Sequence, residues 1–356
     1  EAHQLPEIAS TFFSETLSSR QLLELGRDTL VEVLSDASDM TEIKDGLQAL
    51  EKCVLDLRLA MDKPGLREPW YKIKTRPAIE AGIADLSNIL NSLGEQLKIA
   101  AERSKGLESC YERILAQIER LQNLNNPKAD TVQWYETYTR SFSLVSTPLD
   151  IADTFKKHLE GWPCAWILTS ATLAVGKSFD HFTQRIGMES PKELLLDSPF
   201  DYWHNSLLYA PPDMPEPQNV DFVQAVVDAS IPVINASGGR TFMLFTSYRA
   251  LNEAAELLKD EIDFPILVQG DSSQAEMIKQ FRKLGNAVLL GTSSFWEGVV
   301  VRGEALSCVI IDNLPFSSPG DPVLEARIKA IREGGGNPFA EYQLPQAVIA
   351  LKQGVG

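Results

Sequence analysis

From about Gln133 onward, short apolar runs alternate with helix-length stretches, and this alternation limits the fold more than any other feature. Runs at 141–145, 165–169, 206–209, 241–245, 266–268, 287–291 and 308–311 predict strands. The stretches 151–159, 220–236, 250–260 and 273–284 predict the helices between them. A strand that returns through a helix runs parallel to its predecessor, and helices on both faces then bury the sheet. The pattern predicts an α/β protein with a doubly wound parallel sheet. Such sheets gather ligands at the carboxyl ends of their strands. The Pro-rich 211–217 stretch and Gly238-Gly239 read as loops.

The first 135 residues have a different texture. Apolar positions recur at helical spacing in Leu22, Leu23, Leu25, Leu30 and Val31, and again in Leu86, Ile89, Leu90, Leu93 and Leu97. A long amphipathic helix is expected over 99–124, with Leu107, Tyr111, Ile114, Leu115, Ile118 and Leu121 on one face. Asn125-Asn126-Pro127 stops it, because proline disfavours helix both at and before itself. A chain of 356 residues leaves room for roughly two to three domains.

Lys plus Arg number 33 and Asp plus Glu 49, a net charge of −16. Residues 1–136 hold 16 basic and 23 acidic side chains, a net −7, which leaves −9 for the remainder. That balance argues against a broad basic face and leaves room for a narrow basic groove. No run of 18 apolar residues is present, so no membrane span is expected. The opening residues have neither a basic n-region nor an apolar h-region, so they do not read as a signal peptide. Cys53, Cys110, Cys164 and Cys308 lie far apart without a Cys-x-x-Cys pair, which predicts reduced thiols in a cytoplasmic protein. His3, His158, His181 and His204 show no metal-ligand spacing, so no metal ligands are expected.

Four short segments carry chemistry by their order: Glu1-Ala2-His3, Thr169-Ser170-Ala171-Thr172-Leu173, the stretch Gly291 to Gly298, and Gln353-Gly354-Val355-Gly356. Singly, hydroxyl residues after a strand read as helix caps. Together the segments resemble superfamily-2 helicase motifs. Glu1-Ala2-His3 is similar to a DEAH box without its leading Asp, and Thr169–Leu173 to the third motif. Thr241 to Tyr248 is similar to the fourth motif, Gly291 to Gly298 to the fifth, and Gln353 to Gly356 to the opening of the sixth. With the helical insert and the wording around Leu314-Pro315-Phe316, the chain resembles the XPD/DinG family of DNA helicases. The likeness is specific over the last 190 residues or so and loose in the insert.

The resemblance implies two RecA-like parallel-sheet motor domains, the first incomplete, with an inserted all-helical arch domain. It divides the chain into 1–9 (end of the first motor domain), 10–135 (arch-like insertion), 136–202 (remainder of the first motor) and 203–356 (second motor). It implies ATP-driven 5′→3′ movement on single-stranded DNA in a repair role, with replication or repair proteins as partners and no membrane. ATP and Mg²⁺ are the cofactors it implies, and a 4Fe–4S cluster is expected only in the full-length protein, with ligands outside this chain.

The resemblance also implies the roles that follow, with Glu1, His3 and Gln353 as the catalytic residues. A carboxylate such as Glu1 can orient and deprotonate water for attack on the γ-phosphate. His3 couples the nucleotide site to Ser170 and Thr172, and Gln353 approaches the γ-phosphate. Ser170, Thr172, Glu297, Gly298 and Gly356 lie on the ATP side. Thr246, Ser247, Arg249, Gln269, Thr292, Ser293, Ser294 and Arg302 lie on the DNA side, where hydroxyls and backbone N–H groups at strand-to-helix turns suit phosphate oxygens.

Two departures stand out. Val300 occupies the place where the family has Asp in the fifth motif. No G-x-x-x-x-G-K-S/T phosphate-binding loop is present, so the chain as it stands is expected not to hydrolyse ATP. A non-catalytic nucleic-acid-binding or protein-interaction module on the same fold is the alternative. Several residues keep two readings. Phe295 and Trp296 either stack on bases or fill the core. Arg249 and Arg302 either reach phosphate or are solvated surface arginines. Gln269-Gly270-Asp271 either lies near the DNA path or forms an ordinary turn. The 67–76 stretch mixes Trp70 and Tyr71 with Arg67, Lys72, Lys74 and Arg76, and is either a single-strand patch or a solvated helix end with anchoring aromatics.

Overall fold

The computed structural model describes every residue except 293, 294, 296–298, 300, 302, 318, 319 and 356. The chain forms two compact units. The first comprises Glu1–Leu168, Phe182–Ser190 and Ser318–Pro338, and the second Thr169–His181, Pro191–Ser317 and Phe339–Gly356. None of the described helices is long and apolar enough to cross a membrane.

The first unit opens with α1 (Leu5–Phe12) and β1 (Glu15–Ser18), then α2 (Ser19–Asp36), α3 (Thr41–Ala60), β2 (Arg67–Pro69), α4 (Pro77–Ala100), α5 (Lys105–Asn125), β3 (Thr131–Thr137), β4 (Phe142–Pro148) and α6 (Ala152–Glu160). Helices α2 to α5 pack in a closed ring, each against the next and α5 back on α2. Ser18 starts α2 with a capping box: its Oγ accepts from Gln21 N–H at 3.2 Å, and Gln21 Oε1 accepts from Ser18 N–H at 3.2 Å. Ser104 caps α5 by a single bond, its Oγ taking the Leu107 N–H at 3.3 Å. That cap divides the single helix expected over 99–124, because its extended backbone cannot continue α4.

The core-facing stripe differs from the expected one. Leu22 and Leu25 are buried, whereas Leu30 and Val31 are exposed and Thr29 and Val33 take their place. On α5, Leu107, Ile114 and Leu121 are buried and Leu115 is exposed. A ring of helices accepts a narrow a/d-like stripe, so adjacent apolar residues cannot all face inward.

Beside this ring lies an antiparallel sheet of order β1-β4-β3-β2. Glu15 pairs with Ser146, and Pro69 with Trp134 at the other edge. An edge position is the one that tolerates a residue without an N–H donor. The 10–135 stretch is therefore helical in its body and contributes three strands as well. The helix Pro322–Glu333 packs on β2 and β3. Arg67 Nη2 meets Asp321 Oδ2 at 3.1 Å. Arg327, 9% exposed, reaches Glu7 at 3.5 Å and donates to Ser10 Oγ at 3.1 Å.

The second unit holds a parallel sheet of order β6-β7-β5-β8, from β5 (Thr241–Leu244), β6 (Ile266–Val268), β7 (Val288–Gly291) and β8 (Cys308–Ile311). Alternate residues feed two cores. Met243, Val288 and Leu290 pack with Val227, Ile234 and Leu251 from the helices Phe222–Ser237 and Tyr248–Leu258. Phe242, Leu244 and Leu289 pack with Met277 and Phe281 of the helix Gln274–Leu284, and with Phe295. Burial on both faces explains why these strands read as continuous apolar runs. Gly239 (φ +74°) lets two loops meet: a Cβ there would sit 2.0 Å from the Asn286 carbonyl oxygen.

Two expected strands are absent. The 165–169 and 206–209 runs are irregular, and Ile167, Leu207 and Leu208 stand 85%, 92% and 94% exposed. No described strand pairs with either run, and a lone strand leaves its N–H and C=O groups without a ladder.

The revised stripe on α2 is testable with one chemistry at two sites. Leu25→Ala should destabilise the first unit by about 2–5 kcal/mol, and Leu30→Ala by less than about 1 kcal/mol. Urea denaturation followed by circular dichroism distinguishes them; equal costs would mean that Leu30 faces the core.

Candidate nucleotide and nucleic-acid site

Sequence-predicted site residues are present in both units. In the first, Glu1 precedes and His3 lies within a single 3₁₀ turn, Ala2–Gln4, that runs into α1. His3 is largely buried, and its Nδ1 lies 3.5 Å from Oε2 of the half-exposed Glu1. Next along α1, Glu7 pairs with Arg185 at 2.5 Å and Arg327 at 3.5 Å. Burial pushes the Glu7 carboxyl up, but the two guanidiniums outweigh it and hold Glu7 below the usual carboxylate range. This charge cluster joins three segments distant in sequence and fixes the helix that follows Glu1 and His3.

In the second unit, the third-motif loop and the C-terminal helix Leu344–Val355 meet. Gln353 Nε2 donates to Thr172 Oγ1 at 2.5 Å. Thr172 is 4% exposed, and its N–H donates to Ser170 Oγ at 3.2 Å. The two hydroxyls lie 3.4 Å apart. Lys352 Nζ donates to the Ala174 carbonyl at 3.1 Å. Ser170, Thr172 and Gln353, 183 residues apart at the extremes by numbering, thus form one hydrogen-bonded chain. Lys352 was not singled out by sequence; a lone basic residue beside a motif gives no signal of its own.

The carboxyl edge of the parallel sheet gathers a second group. Thr246 follows β5, Gln269 follows β6, Thr292 follows β7 and Asp312 follows β8. Thr246 donates its N–H to Asp312 Oδ1 at 3.0 Å and its hydroxyl to Asp312 Oδ2 at 3.4 Å. Gln269 Oε1 accepts from Thr292 N–H at 2.6 Å and from Thr292 Oγ1 at 3.0 Å, while its Nε2 donates to the Tyr248 hydroxyl at 2.7 Å. Ser247 Oγ caps the helix Tyr248–Leu258 by accepting from Ala250 N–H at 3.2 Å, which leaves its own O–H to donate. Arg249 is exposed on the first turn of that helix.

Burial pushes the Asp312 carboxyl up to about 6, against the lowering effect of the N–H groups it accepts. Asp312 was missed in the sequence; the signal available was an acidic residue directly after an apolar strand run.

The structure thus gives the predicted DNA-side donors internal partners. Thr292 is buried and held by Gln269, and Thr246 is held by Asp312. Phe295 is 3% exposed and packs over Gly291, so it is a core residue and not a base platform. Gln269-Gly270-Asp271 includes a turn, with Asp271 N–H donating to Val268 O, and Gln269 also serves as a bridge. In the 67–76 stretch, Trp70 is buried, Arg67 lies 4.1 Å over the Trp134 ring and pairs with Asp321, and Lys72 and Arg76 pair with Glu68 and Asp62. Those partners favour the anchoring reading of that stretch. Glu297, Gly298 and Gly356 on the ATP side, and Ser293, Ser294, Trp296, Arg302 and Val300, lie outside the described residues.

The cysteines do not fit an iron–sulfur cluster. Cys53 and Cys110 are buried in the helical ring, Cys164 is exposed, and no three metal-ligating side chains gather among the described residues. Burial raises the Cys53 thiol to about 11 and pushes the Cys110 thiol up as well.

The parallel sheet, with polar residues gathered at its carboxyl edge, defines an α/β fold of the RecA-like kind in a chain that also carries a helical body. Comparison with known proteins agrees. Residues 231–356 match the Helicase C-terminal domain. The whole chain is 41% identical to the ATP-dependent DNA helicase YoaA of Escherichia coli (strain K12), covering 56% of that protein. It is 38% identical to the ATP-dependent helicase DinG of Mycobacterium tuberculosis (strain ATCC 25177 / H37Ra) over 53% of this chain and 29% of that one. A solved XPD helicase is similar over 100% of this chain and 60% of its own, with a TM-score of 0.55 at 16% identity. The chain is thus similar in sequence to the YoaA and DinG helicases and in fold to an XPD helicase. It spans little more than half the length of the relatives that it matches end to end.

The raised Asp312 carboxyl carries a pH dependence. The folded state holds the Asp312 proton more tightly than the unfolded one, so ionisation costs stability as pH rises from about 4 to about 6. Asp312→Asn should therefore gain stability relative to the wild type at pH 7.5 compared with pH 4.5, by at most roughly 3 kcal/mol. Thermal unfolding of both proteins at the two pH values checks this; a pH-independent difference would sink the assignment.

Proposed function

We propose that this chain is part of an ATP-dependent DNA helicase that translocates 5′→3′ on single-stranded DNA, acting in DNA repair or replication in the cytoplasm. The hydrogen bond from Gln353 to Thr172 carries the reading, because it joins a sixth-motif side chain to the third-motif hydroxyls. A primary amide has two N–H donors, and Thr172 occupies one. The other is the donor that suits a γ-phosphate oxygen. With one N–H on Thr172 and the other on phosphate, Gln353 ties the Ser170–Thr172 loop to the nucleotide; when phosphate leaves, only the bond to Thr172 remains. This links nucleotide state to the loop through one side chain. Glu1 is the carboxylate that orients and deprotonates the attacking water, with His3 beside it. Mg²⁺ supplies charge neutralisation for the phosphates when bound. In this reading the α2–α5 ring corresponds to the family's arch insertion, the 203–356 stretch to the second motor domain, and 136–202 to the rest of the first. Relatives named DNA helicases and the match to the Helicase C-terminal domain support the assignment.

The test is strand displacement by the full-length protein on duplexes with a 5′ or a 3′ single-stranded tail. ATP should drive displacement from the 5′-tailed duplex only, and Gln353→Ala and Thr172→Val should slow it by at least about ten-fold while single-strand binding changes little. Equal activity on both tails would refute the polarity, and none on either would refute the function. Residues 1–356 alone should release no phosphate above background in a malachite-green assay with single-stranded DNA, since the phosphate-binding loop is not in this sequence.

A further inference from the structure

At the carboxyl edge of the parallel sheet, Tyr248 is 57% exposed, yet its hydroxyl is tethered. The orientation of the tether follows from chemistry. The Thr292 backbone N–H can only donate, so the Gln269 group 2.6 Å from it is the amide oxygen. The amide nitrogen therefore faces Tyr248, and the phenol oxygen accepts that bond at 2.7 Å. The phenol proton is left to point elsewhere.

The bond also holds the ring at its far end while more than half of the residue's surface remains exposed. A ring restrained in advance loses less conformational freedom when a planar group stacks on it. Every base has a π-face, so such a ring accepts any sequence of unpaired bases. The neighbours suit a sugar–phosphate backbone: the Ser247 hydroxyl retains its donor hydrogen, and Arg249 is exposed on the same helical turn. Gln269, by contrast, gives both ends of its amide to Thr292 and Tyr248.

We infer that Tyr248 is a base-stacking platform for single-stranded DNA, and that Gln269 is the positioning residue that holds it. This rests on the helicase reading above, but assigns a contact that the motif resemblance did not: Gln269 acts through Tyr248, and Thr292 supports Gln269 from beneath.

The experiment uses the full-length protein without nucleotide, titrated with a fluorescein-labelled oligo-dT and with an oligonucleotide carrying one 2-aminopurine. Tyr248→Ala should weaken binding about ten-fold, leave the salt dependence unchanged because no charge is lost, and abolish the quenching of 2-aminopurine. Tyr248→Phe and Tyr248→Trp should retain quenching and bind within about three-fold of the wild type. Gln269→Ala should weaken binding by a few-fold alone and by less than about two-fold in the Tyr248→Ala background, since the two act as a unit. If Tyr248→Ala melts earlier than the wild type, Tyr248→Leu replaces it with the same expected outcomes. Unchanged affinity and quenching in Tyr248→Ala would overturn the inference and leave the helicase reading intact, as would fully additive losses for Gln269. A wild-type protein that binds no single-stranded DNA would overturn both.

Discussion

The requirement that every buried backbone N–H and C=O find a partner governs this molecule, and the β6-β7-β5-β8 sheet meets it for the second unit. The two central strands, β5 and β7, are buried along their whole length, and helices cover both faces. Parallel strands end at a common edge, so the first polar residue after each run arrives in the same place. Thr246, Gln269, Thr292 and Asp312 are neighbours for that reason alone, although up to 66 residues separate them. Side-chain bonds then tie the edge laterally: an amide spans β6 and β7, and a carboxylate spans β8 and β5.

The first unit solves the same problem differently. Its sheet is antiparallel and small, and the helical ring supplies most of the core. What joins its distant segments is charge. Arg327 and Arg185 converge on Glu7, and Arg327 also bonds Ser10. A nearly buried guanidinium is costly without partners, so this helix can dock only where Glu7 and Ser10 are presented. The residues that follow Glu1 and His3 are thereby locked in position.

The motif strings were legible because they follow strands, and strands announce themselves as apolar runs. The β5 to β8 positions agree with the sequence to within a residue or so at each end. Motif order also pointed to Ser170, Thr172 and Gln353, which the structure brings into contact. Other features depend on information that no local pattern holds. Leu30 and Val31 are as apolar as Leu25, and only the angle of α2 in its ring decides which of them is buried. The 165–169 and 206–209 runs have the composition of strands but no partner strand among the described residues. Phe295 sits in a DNA-facing motif by resemblance, yet it fills the space over Gly291.

The sequence by itself determined the class of fold, the order of the motifs and the polar residues that each strand delivers to its carboxyl end. These follow from periodicity and turn chemistry, which act over a few residues. The tertiary structure decided what each polar group does. Thr292 and Thr246 carry donors suited to phosphate, but Gln269 and Asp312 claim those donors first. Tyr248, one letter among several in its motif, keeps its ring in solvent and its hydroxyl on Gln269. A hydrogen-bond donor or an exposed ring face has a function only once its competitors are in place, and those competitors come from other strands.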